Sequence, residues 1–248
     1  MIKLKNALQL ATMQESCKLT VNALYFGAQI IAPGVETIEI DSRIRQYIEK
    51  HGGVPSFLGY AGFPNSSCIS VNDVVIHGIP GHRVLKEGDI VSIDVGAYYK
   101  GFHGDCARTF PCGKISPDAE RLIRVTEESF YAGLSQVGPQ SRVGDISAAV
   151  QMTAEKQGFS VVREYIGHGV GEDLHEAPDV PNYGTAGRGP RLYAGMTLAI
   201  EPMINYGAKE TRQLSDGWTV VTSDGSLSAH YENTVAVTCD GAKILTEL

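Results

Sequence analysis

Four carboxylates in this sequence stand where a folded chain does not leave a charge without compensation. Asp94 lies inside the run Ile90-Val91-Ser92-Ile93-Asp94-Val95-Gly96, whose β-branched residues predict a mostly buried strand, and an ionised carboxylate there needs a partner. Asp105 follows 11 residues later in the next predicted strand, with Tyr99-Lys100-Gly101 as the turn, so the two are expected opposite each other on one sheet face. Glu201 ends the apolar run Thr197-Leu198-Ala199-Ile200, and Pro202 after it disfavours a continuing central ladder. Glu232 lies in another strand-like run, His230-Tyr231-Glu232-Asn233-Thr234-Val235-Ala236-Val237. His168 has a glycine on either side, which permits close approach of the backbone to an ion or substrate. Taken singly, Asp94 reads equally as a residue on a strand's solvent face, and His168 as a loop histidine. Taken together, four carboxylates and an imidazole are the oxygen-rich donor set of two hard or borderline divalent cations. The charges balance, whereas two bare carboxylates about 4 Å apart repel by roughly 4 kcal/mol at an effective dielectric of about 20. Such a pair of ions does hydrolytic chemistry: about 3.5–4 Å apart, they share a water and lower its pKa from about 15.7 towards about 7.

These donors need strands to carry them. Leu8, Met13, Cys17, Val21 and Leu24 recur at helical spacing and predict a helix over 4 to about 31, stopped by Pro33-Gly34; Thr37–Lys50 repeats the pattern up to Gly52-Gly53. Strands follow at 68–71, 90–99 and 102–110. Beyond Pro117 the order repeats, with helices at about 118–137 and 143–156, then strands near 160–164, 197–204, 219–222, 229–238 and 243–246. No residue-level repeat accompanies this. The expected outcome is an α+β fold in which strands of both halves form one curved sheet with helices over its outer face, leaving the concave face for the site. On this reading residues 1–248 are a single catalytic domain of two halves, about 1–112 and 113–248.

Bulk properties narrow the class. At 248 residues the chain can bury a substantial core, and 43% hydrophobic with 20% charged residues is the balance of an ordinary globular protein. A net charge of −7 argues against nucleic-acid specificity or an anionic-membrane surface. The 5 cysteines are scattered without a C-x-x-C pair, and no apolar signal segment follows Met-Ile-Lys-Leu-Lys, so they read as reduced thiols of a cytoplasmic protein. The longest apolar runs fall short of the roughly 20 residues of a membrane span.

The sequence resembles the methionine aminopeptidase family. The likeness rests on Cys68-Ile69-Ser70-Val71-Asn72 with His77-Gly78-Ile79-Pro80, then Asp94-Val95-Gly96, then Gly104-Asp105-Cys106-Ala107-Arg108-Thr109-Phe110. It continues through His168-Gly169-Val170-Gly171 with His175-Glu176-Ala177-Pro178, Glu201-Pro202-Met203 and Glu232-Asn233-Thr234, all in family order. The resemblance implies the pita-bread fold, a pseudo-twofold curved antiparallel sheet covered by helices on its outer face. There is no Cys/His-rich extension and no room between His175 and Glu201 for the helical insertion of the second type, so the minimal bacterial-style type I form is expected.

The resemblance also implies roles. Asp94 and Asp105 hold one metal, His168 and Glu201 the other, and Asp105 and Glu232 bridge; the ions are cobalt, manganese, iron or zinc. Glu201 moves the proton of the attacking water to the leaving amine, His175 stabilises the developing oxyanion, and His77 contacts the scissile amide. Phe57, Tyr60, Phe63, Cys68, Leu174 and Trp218 line the methionine pocket, whose apolar, polarizable walls suit a thioether. Phe57, Phe63 and Leu174 depart from the Cys, Tyr and Phe frequent there in the family. The implied substrate is the N-terminal methionine of nascent polypeptides; a monomer is expected, and transient ribosome association is compatible with the role. The rival readings are a Xaa-Pro aminopeptidase-like enzyme on the same fold, which usually carries an extra N-terminal domain, and a non-catalytic interaction module, which would have lost ligands.

Overall fold

The computed structural model describes residues 2–248. Helix α1 (Ala7–Ala28) begins later than the periodicity predicts because Asn6 caps it: its Oδ1 accepts from Gln9 N at 2.9 Å, and Gln9 Oε1 accepts from Asn6 N at 3.0 Å. Helices α2 (Thr37–Lys50) and α4 (Val143–Lys156) have the predicted bounds. Helix α3 (Pro117–Leu134) starts one residue earlier than expected, with the Ser116 hydroxyl accepting from Ala119 N and Pro117 in the first helical position, where its missing N–H costs nothing.

The strands Ile90–Tyr99 and Phe102–Pro111 form a hairpin across Lys100-Gly101, both at positive φ (51° and 91°), as a tight hairpin turn demands. Alternation then sorts the hairpin's two faces. Ile93, Val95, Ala97 and Cys106 pack into one apolar cluster with Leu24 of α1 and Ile40 and Ile44 of α2. Asp94 and Asp105 point the other way, away from the helices. They are not directly opposite each other, as the spacing had indicated: Asp94 pairs with Ala107 and Gly96 with Asp105, so the two acids are diagonal neighbours on one face.

One sheet was expected; among the described residues there are three. A nine-stranded sheet runs in the order Val54–Pro55, Ile90–Tyr99, Phe102–Pro111, Glu232–Thr238, Thr197–Ile200, Gly167–Gly169, Glu176–Val180, with Ser67–Val71 also pairing with Ile90–Tyr99 and Gly241–Ile244 with Glu232–Thr238. The halves join in its middle, where Glu232 pairs with Ala107 and Asn233 with Cys106. Two three-stranded sheets adjoin it: Thr211–Gln213, Val220–Thr222 and Val74–Ile76 form one, and the other, Ser228–His230 with Met203–Asn205 and Ser160–Val161, arises because two segments that read as single strands break. The predicted strand 197–204 divides at Glu201-Pro202, since Pro202 has no N–H for a ladder. The predicted strand 229–238 divides at Tyr231 into Ser228–His230 and Glu232–Thr238. Glu201 and Glu232 therefore sit at corners where the chain leaves one sheet for another.

Gly104 is required by the contact between α1 and the hairpin: a Cβ there would lie 2.7 Å from Cys17 Cα, a backbone atom that cannot give way. Gly104→Ala should therefore destabilise the fold by about 1–3 kcal/mol, the cost of overpacking. Equilibrium denaturation measures it, and an unchanged midpoint would refute the constraint.

Candidate active site

The face turned away from the helices opens into a cavity of about 330 Å³. Every residue singled out in the sequence lines it: Asp94, Asp105, His168, Glu201 and Glu232 together with His77, His175, Phe57, Tyr60, Phe63, Cys68, Leu174 and Trp218. Asp105, His168 and Glu232 each offer a donor atom within 4.8 Å of the others, and His168 Nε2 lies 3.6 Å from Glu201 Oε1. His168 belongs to the short strand Gly167–Gly169 rather than to a loop, and its Nδ1 bonds the Gly169 carbonyl at 2.8 Å, which turns Nε2 towards the acids.

Burial sets the protonation of this group. Desolvation raises Asp94 to about 7 and Glu201 to about 8, and raises Asp105 and Glu232 well above the usual carboxylate range, with the neighbouring acids adding repulsion. Desolvation lowers His168 to about 3. Asp94 Oδ1 and Asp105 Oδ1 are buried without any hydrogen-bond partner. Clustered carboxylates with orphaned oxygens beside a neutral imidazole fit divalent cations, which would supply the partners those oxygens lack.

The rest of the lining is aromatic and apolar. Phe63 meets Trp218 edge-on at 5.2 Å, and His77 stands edge-on to Trp218 at 6.1 Å and to Tyr165 at 5.8 Å. His77 has φ 56°, a left-handed backbone costly for a residue with a Cβ and typical of functional positions. Tyr60 is only partly a wall: its hydroxyl bonds His175 Nδ1 at 2.8 Å, and the two rings stack at 5.2 Å.

Several contributors escaped the sequence reading. Ile76, Tyr165 and Ile166 line the cavity. Arg108 lays its guanidinium over the Tyr231 ring at 4.0 Å, bonds the Glu232 carbonyl and donates to Asn233 Oδ1 at 2.7 Å, fixing the corner that presents Glu232. Lys5 forms a buried ion pair with Glu176 at 2.5 Å, anchoring the segment that carries Leu174 and His175. His230 also escaped that reading, and its place two residues before Glu232 in the strand-like run was the available signal.

Residues 11–239 match Metallopeptidase family M24. The chain belongs to that family. This M24 chain is 53% identical over 246 residues to a methionine aminopeptidase of Clostridium perfringens, with 99% of each chain covered. The crystal structure of methionine aminopeptidase from Thermotoga maritima matches it with a TM-score of 0.98 at 43% identity over 100% of both chains. Prolidase from Pyrococcus furiosus shares the fold alone, with a TM-score of 0.80 at 21% identity over 99% of this chain and 65% of that one. The curved sheet with four helices is the pita-bread fold of these proteins.

The raised carboxylates give a signed prediction for metal-free protein. Their folded pKa values lie above the unfolded ones, so their contribution is complete at low pH and is lost as pH rises through about 7 to 8 for Asp94 and Glu201. The buried histidines act in the opposite sense, but their titration is over once pH exceeds the unfolded value of about 6.5. Denaturation midpoints of metal-free protein should therefore fall between about pH 6.5 and pH 8, and adding Mn²⁺ or Zn²⁺ at neutral pH should release protons. A midpoint that climbs across that window would contradict the assignment.

Proposed function

We propose that this protein removes the N-terminal initiator methionine from nascent polypeptides by metal-dependent hydrolysis, in the manner of the methionine aminopeptidases it resembles over its full length. The observation that carries the reading is the meeting, in one cavity, of partnerless buried carboxylates with an apolar aromatic lining. Asp94, Asp105, His168, Glu201 and Glu232 would hold two divalent cations, drawn from cobalt, manganese, iron or zinc. When bound, such ions supply Lewis-acid activation of water and of the scissile carbonyl.

The chain's own side chains do the rest. Glu201, at the end of its strand with its Oε1 3.6 Å from His168 Nε2, is placed to accept a proton from the attacking water and return it to the leaving amine. In the tautomer whose Nδ1 accepts from the Tyr60 hydroxyl 2.8 Å away, His175 carries its proton on Nε2 and can donate to the oxygen where negative charge develops. His77 contacts the substrate backbone. Phe57, Phe63, Cys68, Leu174 and Trp218 enclose the methionine side chain, a polarizable thioether against aromatic edges. The same reading takes residues 1–248 as one catalytic domain, which the strand pairing across the two halves supports, and places it in the cytoplasm as a monomer. Among the described residues no helix is long and apolar enough to cross a membrane.

The test is methionine release from Met-Ala-Ser by metal-stripped protein titrated with Mn²⁺ or Co²⁺, beside a Xaa-Pro peptide. Turnover of Met-Ala-Ser should return with metal, and Asp105→Ala or Glu201→Ala should lower kcat at least about 10²-fold. No turnover with any metal would shift the reading to an interaction module, and cleavage of the Xaa-Pro peptide alone to a peptidase of that kind. Tyr60→Phe should lower kcat/KM about fivefold, the worth of one hydrogen bond of about 1 kcal/mol; unchanged kinetics would remove Tyr60 from the oxyanion machinery.

A further inference from the structure

His230 is 2% exposed, and its Nε2 is buried without a hydrogen-bond partner. A buried polar atom left unpaired costs about 1–3 kcal/mol unless something offsets it. Its position is held from both sides. Thr109 Oγ1 donates to the His230 carbonyl at 2.9 Å and accepts from the His230 N–H at 2.9 Å, and Ser92 Oγ meets the same hydroxyl at 2.7 Å. His230 also pairs across the small sheet with Met203, which brings it beside the Glu201-Pro202 corner.

The nearest acid there is Glu201: Nε2 lies 3.5 Å from Glu201 Oε2, while Glu201 Oε1 lies 3.6 Å from His168 Nε2. The carboxylate thus has an imidazole at each oxygen. The two imidazoles differ in company. His168 shares its surroundings with Asp105 and Glu232 within ligating reach of a common point, whereas Glu201 is the only carboxylate within 4.0 Å of His230 among the described residues. A cation needs several protein donors, so His230 lacks the surroundings of a ligand. It has those of a hydrogen-bond donor, and a movement of about 0.6–0.8 Å brings it to charge-assisted bonding distance.

We propose that His230 is a positioning residue: its Nε2–H donates to Glu201 Oε2, fixing the carboxylate so that Oε1 is left for the metal and for proton transfer. The proposal rests on the aminopeptidase reading of Glu201. The hydrogen bond fixes the angle of a side chain that sits at a strand break, where no ladder restrains it. Outer partners of this kind are worth about 10–100-fold in metal affinity or activity.

Two substitutions test it. His230→Gln keeps an N–H donor near the same place, and His230→Leu fills the space without one. Metal affinity is read by calorimetry and the ligand field by the absorption spectrum of the Co²⁺ form, both independent of substrate; kcat and KM are read on Met-Ala-Ser. His230→Leu should lower kcat and metal affinity about 10–100-fold with KM little changed, and His230→Gln should restore both to within about threefold of wild type with the same Co²⁺ spectrum. In the wild-type Zn²⁺ form, the His230 Nε2 proton should appear as a protected low-field resonance, a measurement that needs no variant. An unchanged His230→Leu enzyme, a Co²⁺ spectrum altered equally by Gln and Leu, or the absence of that proton would each overturn the proposal. Wild-type turnover measured alongside keeps a failure of the aminopeptidase reading separate from a failure of this one.

Discussion

The burial of four carboxylates in one cavity is the constraint around which this molecule is arranged. Asp94, Asp105, Glu201 and Glu232 line one cavity with Asp94 and Asp105 oxygens unpaired, and desolvation, foremost, drives each of them towards its neutral form. A sequence selected only for stability would replace such a group with apolar side chains. The surrounding structure instead holds it rigid. Arg108 braces the Glu232 corner, Asp105 is tied to Thr234 through backbone and hydroxyl bonds of 3.0 and 2.9 Å, and the hairpin that carries Asp94 is backed by the apolar cluster beneath α1 and α2.

The two faces of that hairpin divide the labour. The side towards α1 contributes packing, to the point that Gly104 has no room for a methyl group, and the opposite side contributes chemistry. Loops and corners add what strands cannot: His77 on a left-handed backbone, and His175 on a segment secured by the buried Lys5–Glu176 pair. Precision at the acids comes from sheet pairing, while the apolar walls are gathered from distant, more adaptable stretches.

Much of this was legible in the residues. Acids inside apolar runs marked residues that meet in the cavity, helical spacing gave α2 and α4 their bounds, and the Lys100-Gly101 turn gave the hairpin. What escaped was non-local or concealed by regularity. The apolar pattern continues unbroken through Pro202 and Tyr231, so it reads as single strands although the chain changes sheets there. The diagonal offset of Asp94 and Asp105 depends on hairpin register, which a count of intervening residues does not reveal. His230 and Lys5 gain their meaning from partners far away in sequence, Thr109 and Glu176, and no local pattern announces such pairs.

The junction of the halves has a consequence for how the molecule could be taken apart. Asp94 and Asp105 precede the link between the Phe102–Pro111 strand and α3, and His168, Glu201 and Glu232 follow it, so a cut in that link would leave neither piece with a complete donor set. The pieces would meet again along the Cys106–Asn233 and Ala107–Glu232 pairs and beneath α1, whose Met13 and Cys17 pack with Ala199, Ala236 and Leu245. Metal would then act as the glue of a two-part protein, and its uptake as a gauge of reassembly.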